Sequence, residues 1–229
     1  VNVLCKKFEV KNLNDVAILV KNDQTLKLID SALKTSHRKI VTTELEKDIN
    51  PRSQLYALLL RYFYNNSLNF QSIIEEFVEY ELLSILKRTE LNEVKRTIVR
   101  IPNTDPSLLV VSFQKISEIL FSNLPEGNSK KILLKTLSNP DELSSYRPIA
   151  NNEIQLMTLH KSKGLEFDVV FHLNLDDWVL PAKKPTGYIN KEQDLNLHYV
   201  GITRARKFCA LLSSTQRTRY GLSISSAPS

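Results

Sequence analysis

Glycine and cysteine are both scarce in this sequence, with five glycines and two cysteines among 229 residues. The cysteines, Cys5 and Cys209, lie far apart in apolar surroundings, and no Cys/His spacing is typical of a zinc site. We expect two reduced, buried thiols, as in a cytosolic protein, and no metal bound by this chain. No apolar run approaches the roughly twenty residues that cross a bilayer, and no signal peptide is visible, so no membrane partner is expected.

A phosphate-binding loop is also missing. No G-x-x-x-x-G-K-[ST] segment occurs, and no Asp-Glu pair stands in a setting that would complete a Mg²⁺ site. Without a lysine and a Ser or Thr to hold phosphates and Mg²⁺, this chain alone cannot form a complete ATPase site. Because the phosphate-binding loop is missing, we expect the chain to be inactive by itself. Because the sequence begins at Val1 and not at Met, we expect it to be part of a longer protein.

Acidic residues are absent after Asp194, whereas the chain as a whole has a net charge of +6 and an isoelectric point near 9.2. The basic residues of this last stretch are Arg204, Arg206, Lys207, Arg217 and Arg219. A basic C-terminal face could contact phosphates of a polyanion, and a solvated surface explains the same pattern equally well.

The first 45 residues predict a β-α-β unit. The apolar run "DVAILV" (15–20) is typical of a buried strand, and "NDQTLKLIDSALK" is typical of a helix with Asp23 as its N-cap. "RKIVT" then predicts a second strand. Such an opening usually belongs to a parallel sheet.

Residues 51–138 have a different, almost entirely helical pattern. Apolar residues recur at helical spacing in three stripes, which predict a helical core and not a cofactor site. The stripes are Leu55, Leu58, Leu59 and Phe63, then Phe70, Ile73, Ile74, Phe77 and Tyr80, and then Phe113, Ile116, Leu120 and Leu124.

Strands return after the turn-rich segment 138–148. "EIQLMTL" (153–159), "DVVFHLNL" (168–175) and "KFCALLSS" predict strands, and "QDLNLHYVGITRA" predicts a helix with Leu195, Leu197 and Tyr199 on its apolar side. The predicted architecture is one α/β domain with a parallel sheet, interrupted by an all-helical insertion. The α/β domain comprises 1–45 and 150–221, the insertion 46–149 and a tail 222–229.

The stretch "LHKSKGLEFDVVF" (159–171) contains a polar run with two lysines and a glycine, followed by a glutamate and an apolar, strand-like run. "KSKG" is helix-forming, so we expect free N–H groups at the C-terminal edge of the sheet, with Lys161 and Lys163 attracting an anion. Gly164 permits close backbone approach or a positive φ. Glu166 suits a hydroxyl, such as that of a ribose. An ordinary solvated loop with a turn glycine remains the alternative.

A second stretch, "HYVGITRARK" (198–207), places Arg204 between a helix and a strand. Such an arginine can reach across a cleft to charge that develops on a phosphate. The alternative is a helix C-terminal arginine stabilised by the helix dipole.

Together, "IQLMTLHKSKGLEFDVVF", a loop with "LP" and "YVGITRARK" resemble motifs V and VI of the UvrD/Rep/PcrA family of superfamily 1A DNA helicases. Residues 15–35 resemble the strand and helix that open the family's second RecA-like domain. The resemblance implies a RecA-like, P-loop-NTPase-type parallel sheet domain without its own P-loop. The insertion would be a reduced form of the helical 2B subdomain.

The resemblance also implies roles for individual residues. Glu166 matches the glutamate that binds the nucleotide ribose, and Gly164 matches a glycine near the phosphates. Arg204 matches the arginine finger at the γ-phosphate, and thus the catalytic residue. Arg206 lies at a variable family position and receives no role.

Four residues are implied to lie near DNA. Thr158 and His160 match the "TLH" start of motif V, which lies close to single-stranded DNA. Lys163 matches the lysine of the family's "AKG", and Lys161 lies beside it.

The implied function is that of the C-terminal motor domain of an ATP-dependent DNA helicase in a bacterial cytoplasm. Its cofactor would be ATP with Mg²⁺, whose ligands lie on a missing N-terminal RecA-like domain. Its partners would be that domain and single-stranded or duplex DNA. A non-catalytic DNA-binding or regulatory module, and the helicase part of a helicase-nuclease, remain alternatives.

Two positions depart from the family pattern. Before "YVGITRA" the family usually has glutamates and arginines, whereas this chain has "KEQDLNLH", in which Asp194 replaces a glutamate and the arginines are absent. The first strand is followed by "KND", beginning at Lys21, where the family often has a Tyr-Arg pair. These departures put contacts with DNA or the other domain in question.

Overall fold

The structure is a computed structural model, and it describes residues 2–65, 86–176, 179–184, 186–214, 216–219 and 222–225. The chain forms two compact units. The sheet unit comprises residues 1–41 and 149–229, and the helical unit comprises residues 42–148. The assignment of these units to a motor domain and a reduced 2B subdomain remains a prediction.

The sheet unit is built on five parallel strands, which confirms the predicted α/β class. The strands in chain order are β1 (Val16–Val20), β2 (His37–Ile40), β3 (Ile154–Thr158), β4 (Phe167–His172), β5 (Lys183–Lys184), β6 (Gly187–Tyr188), β7 (Ala205–Leu211), β8 (Gln216–Arg219) and β9 (Leu222–Ser225). The main sheet has the order β2-β3-β1-β4-β7, whereas β5-β6 and β8-β9 are antiparallel pairs. The predicted β-α-β opening is therefore correct in direction, but β3 lies between β1 and β2.

The central strand β1 is buried along its whole length, which explains its uninterrupted apolar sequence. Its alternate residues point to opposite faces of the sheet. Ala17 and Leu19 pack on one face with Met157 and Val170. The other face is formed by Val16, Ile18, Val20, Leu156, Val169 and Phe171, which pack with Leu26 and Cys5.

Two helices, α1 (Asn2–Lys7) and α2 (Asp23–Ala32), supply Cys5 and Leu26 to the second of these faces. The prediction that Asp23 is the N-cap of α2 is wrong by one residue. Asn22 has extended backbone, and its side chain accepts a hydrogen bond from Thr25 N at 2.9 Å. Asp23 is the first helical residue, where its negative charge still favours the helix N-terminus.

The described part of the helical unit contains helices and no strands. These are α3 (Glu44–Lys47), α4 (Pro51–Tyr64), α5 (Arg88–Arg100), α6 (Leu109–Leu120), α7 (Ser129–Leu137) and α8 (Pro140–Ser144). The first and third predicted stripes fall on α4 and α6 and contribute to one core, except that Leu124 lies beyond α6 and is 44% exposed. The second stripe, Phe70 to Tyr80, lies outside the described residues.

Arg52 is a buried cation in the helical unit. Its Nη1 donates to Ser117 Oγ at 3.2 Å, and its Nη2 donates to the carbonyls of Phe121 and Leu124 at 2.7 and 2.9 Å. Both carbonyls belong to the turn that follows α6, and carbonyl groups near a helix C-terminus carry partial negative charge. Arg52 therefore ties α6 and the turn after it to α4.

The last helix of the sheet unit, α9 (Lys191–Thr203), follows the predicted segment closely, but its predicted apolar side is wrong. Leu197 is buried, whereas Leu195 and Tyr199 are 49% and 69% exposed. With about 3.6 residues per turn, residues 195 and 199 share one face, and residue 197 lies on the opposite face. Within the described ranges, no helix is long and apolar enough to span a bilayer.

Candidate functional site

The segment between β3 and β4 begins at the C-terminal edge of the sheet. Leu159, directly after β3, donates its N–H to Val20 O at 2.8 Å, at the end of β1. Turns follow, with hydrogen bonds from Ser162 N to Thr158 O and from Leu165 N to Ser162 O. The expectation of a helix over "KSKG" is therefore wrong, because these residues form consecutive turns.

The same segment ends at the opposite edge of the sheet. Phe167, the first residue of β4, donates its N–H to Arg204 O at 2.8 Å, just before β7. Because β3, β4 and β7 are parallel, residues 159–166 run from the C-terminal edge to the N-terminal edge. The sequence led us to expect free N–H groups at the C-terminal edge, but the segment only begins there, and Gly164 and Glu166 lie near the start of β4.

Gly164 adopts a φ of +83°, and a positive φ is one of the two reasons for which the sequence could require a glycine here. A Cβ added to Gly164 would have no atom within 4 Å. The glycine is therefore required by backbone conformation and not by lack of space. The open space beside it leaves the backbone accessible to a ligand. Glu166, two residues later, is exposed.

Arg204 is half-buried and held by the groups around it. Its Nε donates to Val200 O at 3.1 Å, its Nη1 to Leu165 O at 3.0 Å and its Nη2 to Thr203 Oγ1 at 3.2 Å. A guanidinium has five N–H donors, so two remain. None of the ion pairs among the described residues involves Arg204. The structure thus fixes an un-neutralised cation beside residues 164–166.

The predicted DNA-contacting residues lie along the beginning of the segment. Thr158 ends β3 and is half-buried, and its Oγ1 accepts from Lys161 N at 3.4 Å. His160 and Lys163 are exposed, and Lys161 is half-buried. Ser162, for which the sequence pattern predicted no role, is fully buried and donates its hydroxyl to Leu159 O at 2.8 Å.

The proposed basic C-terminal face is partly neutralised. Arg206 contacts Asp168 and Asp15, with Nη2 2.8 and 3.0 Å from their carboxylate oxygens, and Lys207 lies 2.8 Å from Asp168. Lys207 and then Arg206 lower the pKa of Asp168 through hydrogen bonds and charge, against a raising effect of burial. Arg217 and Arg219 lie in β8, and their side chains are outside the described residues.

The two departures from the family pattern, Lys21 and Asp194, contact each other. Lys21 Nζ lies 2.7 Å from Asp194 Oδ1 and donates to Val179 O at 2.7 Å. The other carboxylate oxygen of Asp194 accepts from Ala182 N. Asp194 is only 8% exposed. This ion pair joins the end of β1 to the first turn of α9 and to the loop before β5.

Two histidines join β4 to the middle of α9. His172 is fully buried, and its Nε2 lies 3.2 Å from Nδ1 of His198, while its Nδ1 lies 3.2 Å from Leu173 O. A carbonyl only accepts, so His172 Nδ1 donates and its Nε2 accepts from His198. Burial, and then the charge of His198, lower the pKa of His172 to about 4. Burial also lowers the pKa of His198.

Gly201 brings α9 close to this pair. A Cβ at Gly201 would lie 2.6 Å from the His172 ring and 2.6 Å from Leu159 Cδ2. The helix therefore rests directly on β4 and on the start of the 159–166 segment. Sequence reasoning missed this contact, although a glycine inside a predicted helix was the signal that could have indicated it.

Comparison with known proteins places these motifs in a family. Residues 43–216 match the family model of the UvrD-like helicase C-terminal domain, which is more than half of the chain. The chain belongs to this family. The predicted resemblance is thereby confirmed, and the parallel sheet with its helices is the RecA-like fold expected of a UvrD-like C-terminal domain.

Individual relatives agree with the family. The chain is 38% identical over 135 residues to the ATP-dependent DNA helicase Rep of Buchnera aphidicola subsp. Baizongia pistaciae, covering 53% of this chain and 20% of that protein. It is 38% identical over 78 residues to Escherichia coli Rep, covering 34% and 12%. It is 44% identical over 69 residues to Bacillus subtilis PcrA, covering 30% and 9%. The chain therefore spans a fifth or less of these three relatives.

The histidine pair predicts a pH-dependent stability. Because the pKa of His172 is lower in the folded protein than its ordinary value of 6.5, the unfolded chain binds the proton more readily. The stabilisation is complete above about pH 6.5 and is lost as the pH falls towards 4. Between pH 7 and 5 we expect His172 to account for a loss of about 2 kcal/mol in the free energy of unfolding, measured by urea titration.

In His172→Gln that part of the pH dependence should disappear, whereas His160→Gln should retain it. Parallel pH curves for wild type and His172→Gln would contradict the assignment.

The Lys21–Asp194 pair predicts a large effect of a small substitution. Asp194→Asn removes the negative charge, leaves Lys21 mostly buried, and should lower the free energy of unfolding by about 2–4 kcal/mol. Glu192→Gln, an exposed change in the same helical turn, should cost less than about 1 kcal/mol. Adding Lys21→Met to Asp194→Asn should recover part of the loss. Strict additivity of the two changes in chemical denaturation would rule out the coupling.

Proposed function

We propose that this chain is the second motor domain of an ATP-dependent DNA helicase. In this proposal it supplies Gly164, Glu166 and Arg204 to an ATP site shared with an N-terminal RecA-like domain. The observation that carries the proposal is the fixed, un-neutralised guanidinium of Arg204 beside the open backbone of Gly164. The relatives named above, each an ATP-dependent DNA helicase, support the same reading.

Arg204 has the properties that a phosphoryl-transfer reaction requires of a cation. Leu165 O and Val200 O orient its guanidinium, and two N–H donors remain for phosphate oxygens. Charge that develops on the transferring group is stabilised most by donors that are already in position, because they need no reorganisation. The alternative, in which Arg204 only stabilises the C-terminus of α9, accounts for its hydrogen bond to Val200 O. It does not account for the hydrogen bond to Leu165 O or for the two unused N–H donors.

Glu166 and Gly164 would contribute binding. An exposed carboxylate can accept hydrogen bonds from ribose hydroxyls, and the positive φ and free space at Gly164 allow phosphates to approach the backbone. Among the described residues, no three His, Cys, Asp or Glu side chains converge as a metal site. We assign the Mg²⁺ ligands to the N-terminal domain, and ATP with Mg²⁺ supplies the phosphoryl group.

The exposed face of α9 provides a surface for that domain. Leu195, Tyr199 and Ile202 lie at i, i+4 and i+7, on one side of the helix, and are 49%, 69% and 37% exposed. Leu165, whose carbonyl holds Arg204, is 41% exposed. An apolar stripe that ends at the proposed arginine finger is suited to contact with a partner domain. We propose that the N-terminal RecA-like domain covers it.

The segment 159–166 would link the nucleotide to DNA. Thr158, His160, Lys161 and Lys163 are the proposed contacts to a single strand, and Leu165 at the other end of the segment holds Arg204. Leu159 and Ser162 are fully buried between these ends. In this proposal, a displacement caused by DNA at the start of the segment would reach the guanidinium through Leu165.

The arginine is tested in the full-length protein. Arg204→Ala should lower kcat for ATP hydrolysis by about 10³–10⁵-fold, because the interaction is strongest in the transition state, while nucleotide binding persists. Arg204→Lys should not restore the rate, since an ammonium lacks the planar fork. Arg206→Ala, which removes a neighbouring arginine paired with carboxylates, is the matched control and should stay within about threefold. Hydrolysis by Arg204→Ala at a near wild-type rate would reject the role.

Glu166→Ala should change a different parameter. A ribose contact is made equally in the ground state and the transition state, so its loss should mainly raise KM. We expect an increase of about 5- to 30-fold, which corresponds to about 1–2 kcal/mol for one hydrogen bond to a charged group. Steady-state kinetics at saturating DNA measure this. A large fall in kcat at constant KM would instead place Glu166 in the catalytic machinery.

A further inference from the structure

A small hairpin follows β4 and precedes α9. Lys183 pairs with Tyr188 and Lys184 with Gly187 in the antiparallel strands β5 and β6. Gly187 has a φ of +124°, and Ile189 N donates to Ala182 O at 3.0 Å, which closes the base of the hairpin. The hairpin has no part in the proposed ATP site.

Tyr188 is the prominent side chain of this hairpin. Tyr188 is 45% exposed, although the hairpin holds its backbone in place. Lys183 Nζ lies 5.2 Å from the ring centroid and Lys191 Nζ lies 5.1 Å from it. Two ammonium groups at this distance make favourable cation–π contacts and concentrate positive charge around an exposed aromatic surface.

The hairpin lies at the same edge of the sheet as the proposed DNA contacts. Ala182 N, at its base, donates to Asp194, and Asp194 pairs with Lys21 at the end of β1. The preceding residue, Val20, accepts the hydrogen bond from Leu159, directly before His160. A short chain of polar contacts thus ties the hairpin to the C-terminal edge where β3 and the "TLH" stretch meet.

We propose that Tyr188 is a stacking platform for one base of a single-stranded DNA: the base replaces an ammonium group over the ring, and Lys183 and Lys191 bind the flanking phosphates. This inference rests on the proposed function as a DNA motor. Every base has a π-face, so an exposed ring next to cations binds single strands without sequence preference. In a duplex the bases are already stacked and paired, so the platform favours single strands.

A purely structural ring makes a different prediction. If Tyr188 only tied the hairpin to α9 through Lys191, its removal would weaken DNA binding regardless of whether the strand carries bases. A stacking ring matters only when a base is present. The dependence on the base therefore separates the two roles.

The experiment measures fluorescence anisotropy of the full-length protein with labelled oligothymidine and with a strand of equal length made of abasic residues. Tyr188→Ala should weaken binding to oligothymidine by about tenfold, and Tyr188→Phe should stay within about twofold, because it keeps the ring. On the abasic strand, wild type and Tyr188→Ala should bind equally. Tyr64→Ala, which removes a tyrosine stacked against Arg147 at 5.3 Å, is the matched control and should leave both affinities unchanged.

The phosphate contacts are tested with the same strands across a salt series. Lys191→Gln should reduce the log–log salt slope by about 0.7, the value expected for one phosphate contact on a single strand. Equal losses on both strands for Tyr188→Ala, or no loss on either, would overturn the stacking role. If wild type binds neither strand at low salt, the proposed DNA function itself fails, and this inference fails with it.

Discussion

A backbone hydrogen bond of 2.8 Å from Phe167 N to Arg204 O aligns the start of β4 with the start of β7. The parallel pairing that follows places residues 164–166 beside Arg204, although they are about forty positions apart in the sequence. The second contact between the two stretches, from the guanidinium to Leu165 O, depends on this alignment. Orientation of a cation by neutral carbonyls keeps its charge available, whereas a carboxylate partner would neutralise it.

The helix that carries Arg204 is held at three points along its length. Asp194 pairs with Lys21 in its first turn, His198 and Gly201 rest on His172 in its middle, and Arg204 binds at its end. The contacts of Asp194 and His198 are partly buried, and polar contacts in such a setting are strong when satisfied and costly when broken. This arrangement leaves little freedom for α9 to shift relative to β4, and it leaves one apolar face of the helix uncovered.

The two edges of the sheet have different characters. The N-terminal edge carries Arg204, Glu166 and the ion pairs of Asp168, and the C-terminal edge carries His160, the Lys21–Asp194 pair and the hairpin with Tyr188. The segment 159–166 is the covalent connection between them, with Leu159 and Ser162 buried along its path. In the proposed motor, the nucleotide and the DNA strand would act on opposite ends of this one short segment.

Local patterns in the sequence were sufficient to predict many of the helices and strands of this protein. The buried run of β1, the helical stripes of α4 and α6 and the family resemblance follow from residue order alone. Pattern failed where the answer depended on residues distant in sequence. Leu195, Leu197 and Tyr199 alternate along the sequence as in a strand, yet this spacing was assigned to the apolar side of a helix. Asn22 and Asp23 are both residues that cap helices, and the sequence pattern did not distinguish between them.

Tertiary structure alone decided which edge of the sheet each site residue occupies and which side chains meet. Lys21 and Asp194 appeared in the sequence as two unrelated departures from a family pattern, and only the fold shows that each is the counter-ion of the other. His172 and His198 gave no local signal, because a buried histidine is recognisable only through its partner and its burial. The physical reason is that strand and helix periodicity are set by neighbours in the chain, whereas charge pairing and the crossing of a segment between sheet edges are set by packing in three dimensions.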